Sequence, residues 1–356
     1  MKKKLTLFPM TRDMCAIARN QSLLQYYVLD RLLVPGFSRL AGEDISEVDG
    51  GAVANIKFTE YNSDALDDCD IIFVDYDENI HSMSVYNDVI QNAKEIGKEI
   101  VLSRKLRDRL RDKSEDQFDD IPAPNRLNAD YLHEISVPVI TVLTQGPRTD
   151  QFALELALRK YFSSEGYKVA QIGSHEASIF FGFSDLPCFM YESRDGYEKA
   201  LRFNHYVKEL ISEEKPDLLI LGIPEATLKY NNKLLNGLGF MPFIACSAIR
   251  SDLQILSMYR DDYKLSYFDE MYKHGLYRLG VPIRFFNISN TCFAPDMSSE
   301  IPKHKYIDLN SNFVLSNIQE DVKQGQYCVF NVLNSESTKD ACKAAHELLV
   351  GNVSSL

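Results

Sequence analysis

Short apolar runs alternate with helix-length amphipathic segments along the first hundred residues. This alternation is typical of an open, mainly parallel β-sheet with helices on its faces. The run Ile71-Ile72-Phe73-Val74 is the clearest strand, because it is too short for a helix and is flanked by acidic residues. The pattern predicts strands at residues 5–8, 29–34, 71–75 and 100–103, and a helix at residues 82–96. We therefore predict a Rossmann- or flavodoxin-like domain over residues 1–105.

A run of charged residues interrupts this pattern at residues 106–136. The run is basic as far as Lys113, acidic from there to Asp120, and rich in proline after that. Such a composition is typical of a solvated helix followed by a linker, so it predicts a domain boundary. A basic clamp for an acidic peptide is the alternative interpretation.

The remaining residues, 137–356, return to the same alternation and open with a strand, a tight turn and a strongly amphipathic helix. That opening is the frame of a P-loop domain. Strands are predicted at residues 137–143, 168–173, 218–221, 243–247, 254–258 and 283–287, and helices at residues 152–165, 197–213, 263–274, 312–323 and 338–349. The predicted fold class is therefore α/β, with a Rossmann/flavodoxin-like domain followed by a P-loop NTPase-like domain, both with mainly parallel sheets.

The turn of this frame has lost the residues that grip phosphate. In a P-loop, backbone N–H groups wrap a phosphate, a lysine neutralises it and a hydroxyl holds magnesium. Aligned with G-x-x-x-x-G-K-[ST], this chain has Gln145 and Asp150 at the glycines, Gln151 at the lysine and Phe152 at the hydroxyl. A carboxylate repels a polyphosphate, an amide cannot neutralise it, and a phenyl ring cannot bind a hard cation. We therefore predict no nucleotide hydrolysis by the usual machinery.

The candidate ligand-binding residues of this turn are those that could still hold a single anion or a nucleotide weakly: Gly146, Arg148, Thr149, Asp150 and Gln151. The amino terminus of the following helix would help these residues to hold an anion. No other cofactor is expected. The alternative is a plain strand-to-helix turn in which Asp150 caps the helix.

Two further candidates lie in the second domain. The apolar run before Gly222 resembles a Walker B strand, but glycine stands where the magnesium-supporting acid belongs, and only Glu225 could compensate. His175 is followed by Glu176, which is a pairing suited to a general base or to half a metal site. Adjacent side chains on a helix point apart, however, which favours a structural role.

In the first domain, Arg12 and Asp75 follow predicted strands, and ligands of open α/β sheets collect at the carboxyl ends of strands. The turn after the first strand, residues 9–13, lacks the G-x-G-x-x-G motif that admits a pyrophosphate. A dinucleotide site is therefore not expected here. The alternative is that both residues only cap helices or lie in solvated loops.

The net charge and the spacing of the cysteines argue against several classes of function. The net charge of −12 is spread over 356 residues, and an acidic surface repels nucleic acid and anionic membranes. No apolar run approaches the roughly 18 residues that span a bilayer. The seven cysteines are widely spaced without a C-x-x-C pair, so no metal is expected and reduced thiols in a cytoplasmic protein are predicted.

The chain resembles a clostridial family of peptide maturation system proteins, which are encoded beside radical-SAM maturases of Cys-rich ribosomal peptides. The segments that carry the resemblance are residues 137–140, the turn Thr149-Asp150-x-Phe152, residues 165–174, 181–183, 203–207 and 216–224. In similar members a lysine often precedes the phenylalanine matched by Phe152, and Gln151 departs from this. The resemblance implies an accessory protein, scaffold or chaperone-like, whose partners are the precursor peptide, the maturase or both.

Two other functions stay open at this stage. One is an ATP- or GTP-dependent enzyme, ligase or kinase-like, that uses Arg148 as the cation of an unorthodox phosphate loop. The other is a small-molecule sensor that binds at the strand ends of the first domain.

Overall fold

The computed structural model describes residues 2–110, 131–296, 298, 304–323 and 325–353. The chain forms two compact units. The first lies within Met1–Phe118 and includes Glu176–Gly182, and the second comprises Asp119–His175 and Phe183–Leu356. Most of the linker predicted at 106–136, including its acidic and proline-rich parts, lies outside the described residues. Both units are α/β with parallel sheets, which confirms the predicted fold class.

The first unit is built on a parallel sheet with the strand order β3-β2-β1-β4-β5. Its strands are β1 (Lys3–Phe8), β2 (Tyr27–Val34), β3 (Thr59–Glu60), β4 (Ile71–Val74) and β5 (Glu99–Leu102), and its helices are α1 (Arg12–Arg19), α2 (Ser46–Asp49), α3 (Met83–Glu95) and α4 (Arg104–Leu110). β4 is buried along its whole length, as its apolar run predicts. The chain order of the strands reverses between β1 and β4, so their carboxyl ends face the crevice where such sheets bind ligands.

The segment Glu176–Gly182 packs on this first sheet although it lies within the sequence of the second half. The ring of Phe180 contacts Tyr27 and Phe73, at centroid distances of 5.2 and 5.5 Å. Phe180 is fully buried there. The first unit therefore completes its core with residues from a second stretch of chain, which periodicity alone does not predict.

The second unit is built on a larger parallel sheet with the strand order β14-β11-β10-β6-β9-β7-β8. Its strands are β6 (Val139–Thr144), β7 (Val169–Gly173), β8 (Ser184–Asp185), β9 (Leu218–Ala226), β10 (Leu253–Met258), β11 (Ile283–Ile288) and β14 (Cys328–Phe330), with a separate antiparallel pair formed by β12 (Thr291–Phe293) and β13 (Tyr306–Asp308). Its helices are α5 (Gln151–Ser164), α6 (Gly196–Glu214), α7 (Phe240–Ala248), α8 (Leu265–Arg278), α9 (Ser311–Ser316), α10 (Glu320–Lys323) and α11 (Ser335–Val353).

The core of this unit is a large buried cluster that joins the sheet to its helices. Leu143, Leu221 and Leu256 come from three neighbouring strands and pack in one cluster with Phe203 of α6 and Phe268 of α8. β6 lies between β9 and β10, so the turn after β6 is flanked by the loops that follow both of those strands. This arrangement determines which side chains can reach the turn.

The strand predicted at residues 243–247 is wrong, because these residues lie in α7. A short apolar run cannot be assigned to a strand or a buried helix by periodicity alone. Met241, Ala245 and Ala248 recur at helical spacing and are buried, whereas Phe243 is 44% exposed. Pro242 lies in the first turn, where the missing N–H has no helical partner to lose.

The helix predicted at residues 312–323 is divided into α9 and α10. Within the described ranges, no helix is long and apolar enough to cross a membrane.

Candidate functional site

The turn between β6 and α5, residues 145–150, has left-handed backbone at two positions although both glycines of the phosphate motif are replaced. Arg148 and Asp150 have φ angles of 63° and 61°, in the left-handed region that favours glycine. Asp150 stands at the N-cap position of α5, but its side chain makes no capping hydrogen bond to the helix. Its Oδ2 instead accepts from Asn290 N at 3.3 Å. The turn is thus tied to the loop after β11.

The inside of the turn is filled by two threonine hydroxyls. Thr144 Oγ1 donates to Gly146 O at 2.6 Å and accepts from Gly146 N at 3.0 Å. Thr149 Oγ1 lies 2.7 Å from Thr144 Oγ1 and 3.1 Å from Gly146 O. In a phosphate-binding turn such N–H groups point at the ligand. Here the N–H of Gly146 is bound to the protein's own hydroxyl.

Gln145, which stands at the first glycine of the motif, is fixed by aromatic residues from the loop after β10 and from α8. Its Oε1 accepts from Tyr259 N at 3.0 Å and from Tyr263 Oη at 3.1 Å, and its Nε2 donates to Tyr267 Oη at 2.8 Å. Burial raises the pKa of Tyr267 to about 12 and that of Tyr263 well above its usual value. Both phenols therefore stay neutral near pH 7 and serve as hydrogen-bonding groups.

Tyr259 also covers the turn directly. A side chain at Gly146 would overlap the phenol of Tyr259, so glycine is needed for this close approach. Tyr259 is 3% exposed and stacks on Phe293 at a centroid distance of 5.1 Å. The phenol of Tyr259 thus packs directly against the backbone of the turn at Gly146.

Gln151 stands at the lysine position of the motif, and its side chain is directed into the sheet. Its Nε2 donates to Val142 O at 2.9 Å and to Ile223 O at 2.8 Å. The register between β6 and β9 shifts between Val142 and Thr144, where the strand ladder is interrupted. The Gln151 amide therefore bridges carbonyl groups of two strands at the point where the strands part.

A Walker B strand would carry an acid at the position of Gly222. In this chain an acidic side chain from α5 occupies the space beside Gly222. A side chain at Gly222 would overlap the carboxylate of Glu155. Glu155 has no exposed surface, and its Oε2 accepts from Ser174 N at 3.0 Å. Glu155 is not among the site residues predicted from the sequence. The signal was an acidic residue between Leu154 and Leu156 in the most apolar part of the helix.

Arg148, the predicted cation of the turn, has protein partners. Its Nη2 lies 2.7 Å from Asp308 Oδ2, and its guanidinium lies over the ring of Tyr306 at 5.0 Å. Thr291 Oγ1 donates to the other oxygen of Asp308 at 2.8 Å. Arg148 therefore attaches the turn to the β12–β13 pair.

The structure does not bring Glu225 or His175 into this turn. Glu225 lies near the end of β9 and is half-buried; burial raises its pKa, and the charge of Lys199 opposes that shift. His175 packs its ring on Phe152 at a centroid distance of 5.3 Å. Its sequence neighbour Glu176 belongs to the other unit, where its carboxylate lies 3.7 Å from Arg104 Nη1.

Arg12 begins α1, after the turn that follows β1, and Asp75 directly follows β4 in the first unit. Arg12 is 6% exposed and donates to the backbone carbonyls of Val48 and Asp49, both at 3.2 Å. Asp75 accepts from Thr11 Oγ1 at 3.1 Å and from Tyr76 N at 2.7 Å. Both side chains support the local fold with protein contacts.

In the described parts of the chain, no group of three or more His, Cys, Asp and Glu side chains is arranged to hold a metal ion. The site is thus a turn of phosphate-loop shape, in a parallel α/β unit, whose binding groups are engaged by the chain itself.

Comparison with solved structures places this architecture among known α/β folds. A DUF1611 family protein from Anabaena variabilis is similar to this chain with a TM-score of 0.60 and 8% identity, over 96% of this chain and 100% of that one. At this identity the similarity shows the fold alone. A pseudomurein peptide ligase type C from Methanothermus fervidus matches at 10% identity over 73% of this chain and 38% of that one, but its TM-score of 0.25 carries no argument. No protein-family model and no curated protein matches the chain.

Proposed function

We propose that this protein is a non-hydrolysing accessory protein, a scaffold or chaperone, in the maturation of a ribosomally synthesised Cys-rich peptide. The observation that carries the proposal is the state of Gln151, whose amide is bound to the carbonyls of Val142 and Ile223 rather than presented to a ligand. The threonine hydroxyls inside the turn and Tyr259 over Gly146 support the same conclusion. The resemblance in the strand and turn motifs supplies the peptide-maturation setting.

Electrostatics supports the absence of nucleotide chemistry. A triphosphate–magnesium complex is stabilised by a lysine, by an acid that supports the metal and by free backbone N–H groups. In this turn Asp150 adds negative charge, and Arg148 is already paired with Asp308. Nucleotide binding through Arg148 would have to break that ion pair.

The experiment has two arms. Isothermal titration with Mg-ATP and Mg-GTP is expected to give no binding at millimolar nucleotide, and a phosphate-release assay is expected to show no turnover. A pull-down with the precursor peptide and the radical-SAM maturase is expected to retain one or both. Retention of neither would overturn the accessory function.

An ATP- or GTP-dependent ligase or kinase-like enzyme is the second candidate. Its specific support is that the strand–turn–helix arrangement of a P-loop is retained. Arg148 and Asp150 have left-handed backbone conformations in the turn before the amino terminus of α5. Micromolar nucleotide binding that Arg148→Ala abolishes would favour this enzyme over the scaffold. A sensor at Arg12 and Asp75 gains no specific support, because protein groups bind both side chains.

A further inference from the structure

Helix α7 of the second unit presents an apolar face to solvent. Phe240, Phe243 and Ile244 recur at the i, i+3 and i+4 spacing that places side chains on one face of a helix. Phe240 is 60% exposed and Phe243 is 44% exposed, whereas Met241 and Ala245 on the other face belong to the core. The helix therefore leaves large apolar side chains uncovered on the face that the core does not use.

The turn before α7 extends this apolar surface. Leu235 and Leu238 are 47% and 44% exposed. Residues 236–239 all have positive φ, and Leu238, at 58°, has a bulky side chain in the left-handed region that favours glycine. A side chain at Gly239 would overlap the backbone carbonyl of Thr227, so the turn must end in glycine. Backbone strain of this kind is concentrated at ligand-binding positions.

The exposed apolar residues of the turn and the helix form one stretch of surface. We call it the α7 surface, and its members are Leu235, Leu238, Phe240, Phe243 and Ile244. Single exposed apolar residues are normal on proteins, but a contiguous group of them marks an interaction site.

The segment that carries the α7 surface is basic in an acidic protein. Residues 226–250 include Lys229, Lys233 and Arg250 and no acidic residue, which is a formal charge of +3 in a chain of −12. All three side chains are exposed, and none forms an ion pair with a residue that the structure describes. Even with the half-buried Glu225 included, the segment keeps a charge of +2.

The neighbouring start of α6 does not reverse this charge. Gly196 lies against Ile244, so this end of α6 borders the α7 surface. Residues 192–202 contain three acidic and three basic side chains and are therefore neutral in total. Arg194 forms ion pairs with Glu192 and Glu198.

Apolar anchors beside unpaired cations fit a partner segment that is apolar and acidic. Its apolar side chains would be removed from water on the α7 surface, and its carboxylates would meet the basic side chains. A ridge of side chains on a helix packs best against the side of a second helix. We propose that the α7 surface binds an amphipathic helix of a partner peptide or protein, with aliphatic side chains on one face and acidic side chains along its edges.

Apolar and basic groups together also suit an anionic membrane. A bilayer is a plane that faces one whole side of the protein, so the net charge of −12 opposes its approach. A short helix meets only the charges within a Debye length, about 8 Å at physiological salt. The charge distribution therefore favours the acidic helix.

This inference goes beyond the proposed accessory function, because it defines a surface and a partner chemistry without any residue of the β6–α5 turn. Its test uses synthetic peptides, so it can fail while the precursor peptide or the maturase is still retained in the pull-down. The reverse outcome is equally distinguishable.

The test is fluorescence anisotropy of the full chain with three labelled peptides of equal length. The first has leucine at i, i+3, i+4 and i+7 spacing with glutamate between, the second has glutamine in place of each glutamate, and the third has serine in place of each leucine. The first is expected to bind, and the others at least about tenfold more weakly, because each lacks one of the two recognised features. The affinity of the first should fall as salt is raised.

Two variants connect this binding to the α7 surface. Phe243→Gln removes an exposed anchor and is expected to weaken binding of the first peptide by about tenfold. Lys233→Glu is expected to weaken it by about threefold. The matched controls are Phe313→Gln on α9 and Lys339→Glu on α11, which are exposed positions outside the α7 surface and should leave binding unchanged.

Several outcomes overturn the proposal. Absence of binding by the first peptide would do so, and so would equal binding by the second or the third. Equal effects of Phe243→Gln and Phe313→Gln would place the binding elsewhere. Self-association that Phe243→Gln abolishes, measured by sedimentation, would make a second copy of the chain the occupant. Binding to phosphatidylserine vesicles that Phe243→Gln abolishes would make a membrane the occupant.

Discussion

The carboxylate of Glu155 on α5 occupies the space that a side chain at Gly222 on β9 would need. The two residues are 67 positions apart in sequence, yet each determines what the other can be. The lack of a side chain at Gly222 leaves room for the buried carboxylate of Glu155. That carboxylate in turn leaves no room for a side chain at Gly222. The absence of a Walker B acid is therefore part of the packing of this unit.

Gly222→Ala is predicted to lower the free energy of unfolding by about 2–4 kcal/mol, because the new methyl group overlaps a fully buried carboxylate. Urea denaturation measures the change. Gly351→Ala is the matched control, because Gly351 lies in α11 with open space around its Cβ position. There alanine should stabilise by up to about 1 kcal/mol through helix propensity.

A double-mutant cycle between Gly222→Ala and Glu155→Ala tests the origin of that effect. Removal of the carboxylate makes room for the methyl group, so the double variant should lose less stability than the two single variants together, by about 1 kcal/mol or more. Strict additivity of the two changes would contradict the overlap.

Gln151→Met is predicted to destabilise the protein by about 1–3 kcal/mol, because it leaves the buried carbonyls of Val142 and Ile223 without their donor. Chemical denaturation checks this value. The control, Gln91→Met, removes an exposed amide on α3 and should change stability by less than about 0.5 kcal/mol. Equal effects of the two changes would show that the Gln151 bridge contributes nothing.

Arg148→Gly is predicted to give a more stable protein than Arg148→Ala by about 1 kcal/mol. Both changes remove the ion pair with Asp308, but only glycine relieves the left-handed backbone at φ 63°. The control pair is Arg159→Gly and Arg159→Ala in the interior of α5, where the order should reverse by about 1 kcal/mol. Thermal unfolding of the four variants gives both differences, and the same order at both positions would refute the strain at Arg148.

Glu225 should make stability depend on pH. Burial raises its pKa above the ordinary value of 4.5, so the folded state holds the proton more tightly than the unfolded state. Its stabilising contribution is present below pH 4.5 and is lost as the pH rises through the pKa of the folded state. Glu225→Gln should therefore raise stability at pH 7 relative to the parent protein, with a smaller gain at pH 4. Urea midpoints at the two pH values test this, and a larger gain at pH 4 would reverse the sign.

The sequence predicted the strands that form the centres of both sheets, because runs such as the one at β4 are short, apolar and bounded by polar residues. It failed at α7, where a helix buries only small residues and Met241 on one face and leaves Phe243 exposed. The antiparallel pair β12–β13 was also not predicted, since each strand is only three residues long.

The loss of the phosphate motif could be read directly from residues 145–152, but the groups that take its place could not. Tyr259, Tyr263 and Tyr267 reach Gln145 across more than a hundred residues of sequence, and Asn290 reaches Asp150 across 140. Such contacts depend on which strands lie side by side, and local patterns do not contain that order.

Tyr263 and Tyr267 act on the turn together, since both hydroxyls are bound to Gln145 and their rings stack at a centroid distance of 4.6 Å. Tyr267 belongs to α8, so the stacked phenols connect that helix to the first residue of the turn. The position of the turn is thereby coupled to the position of α8.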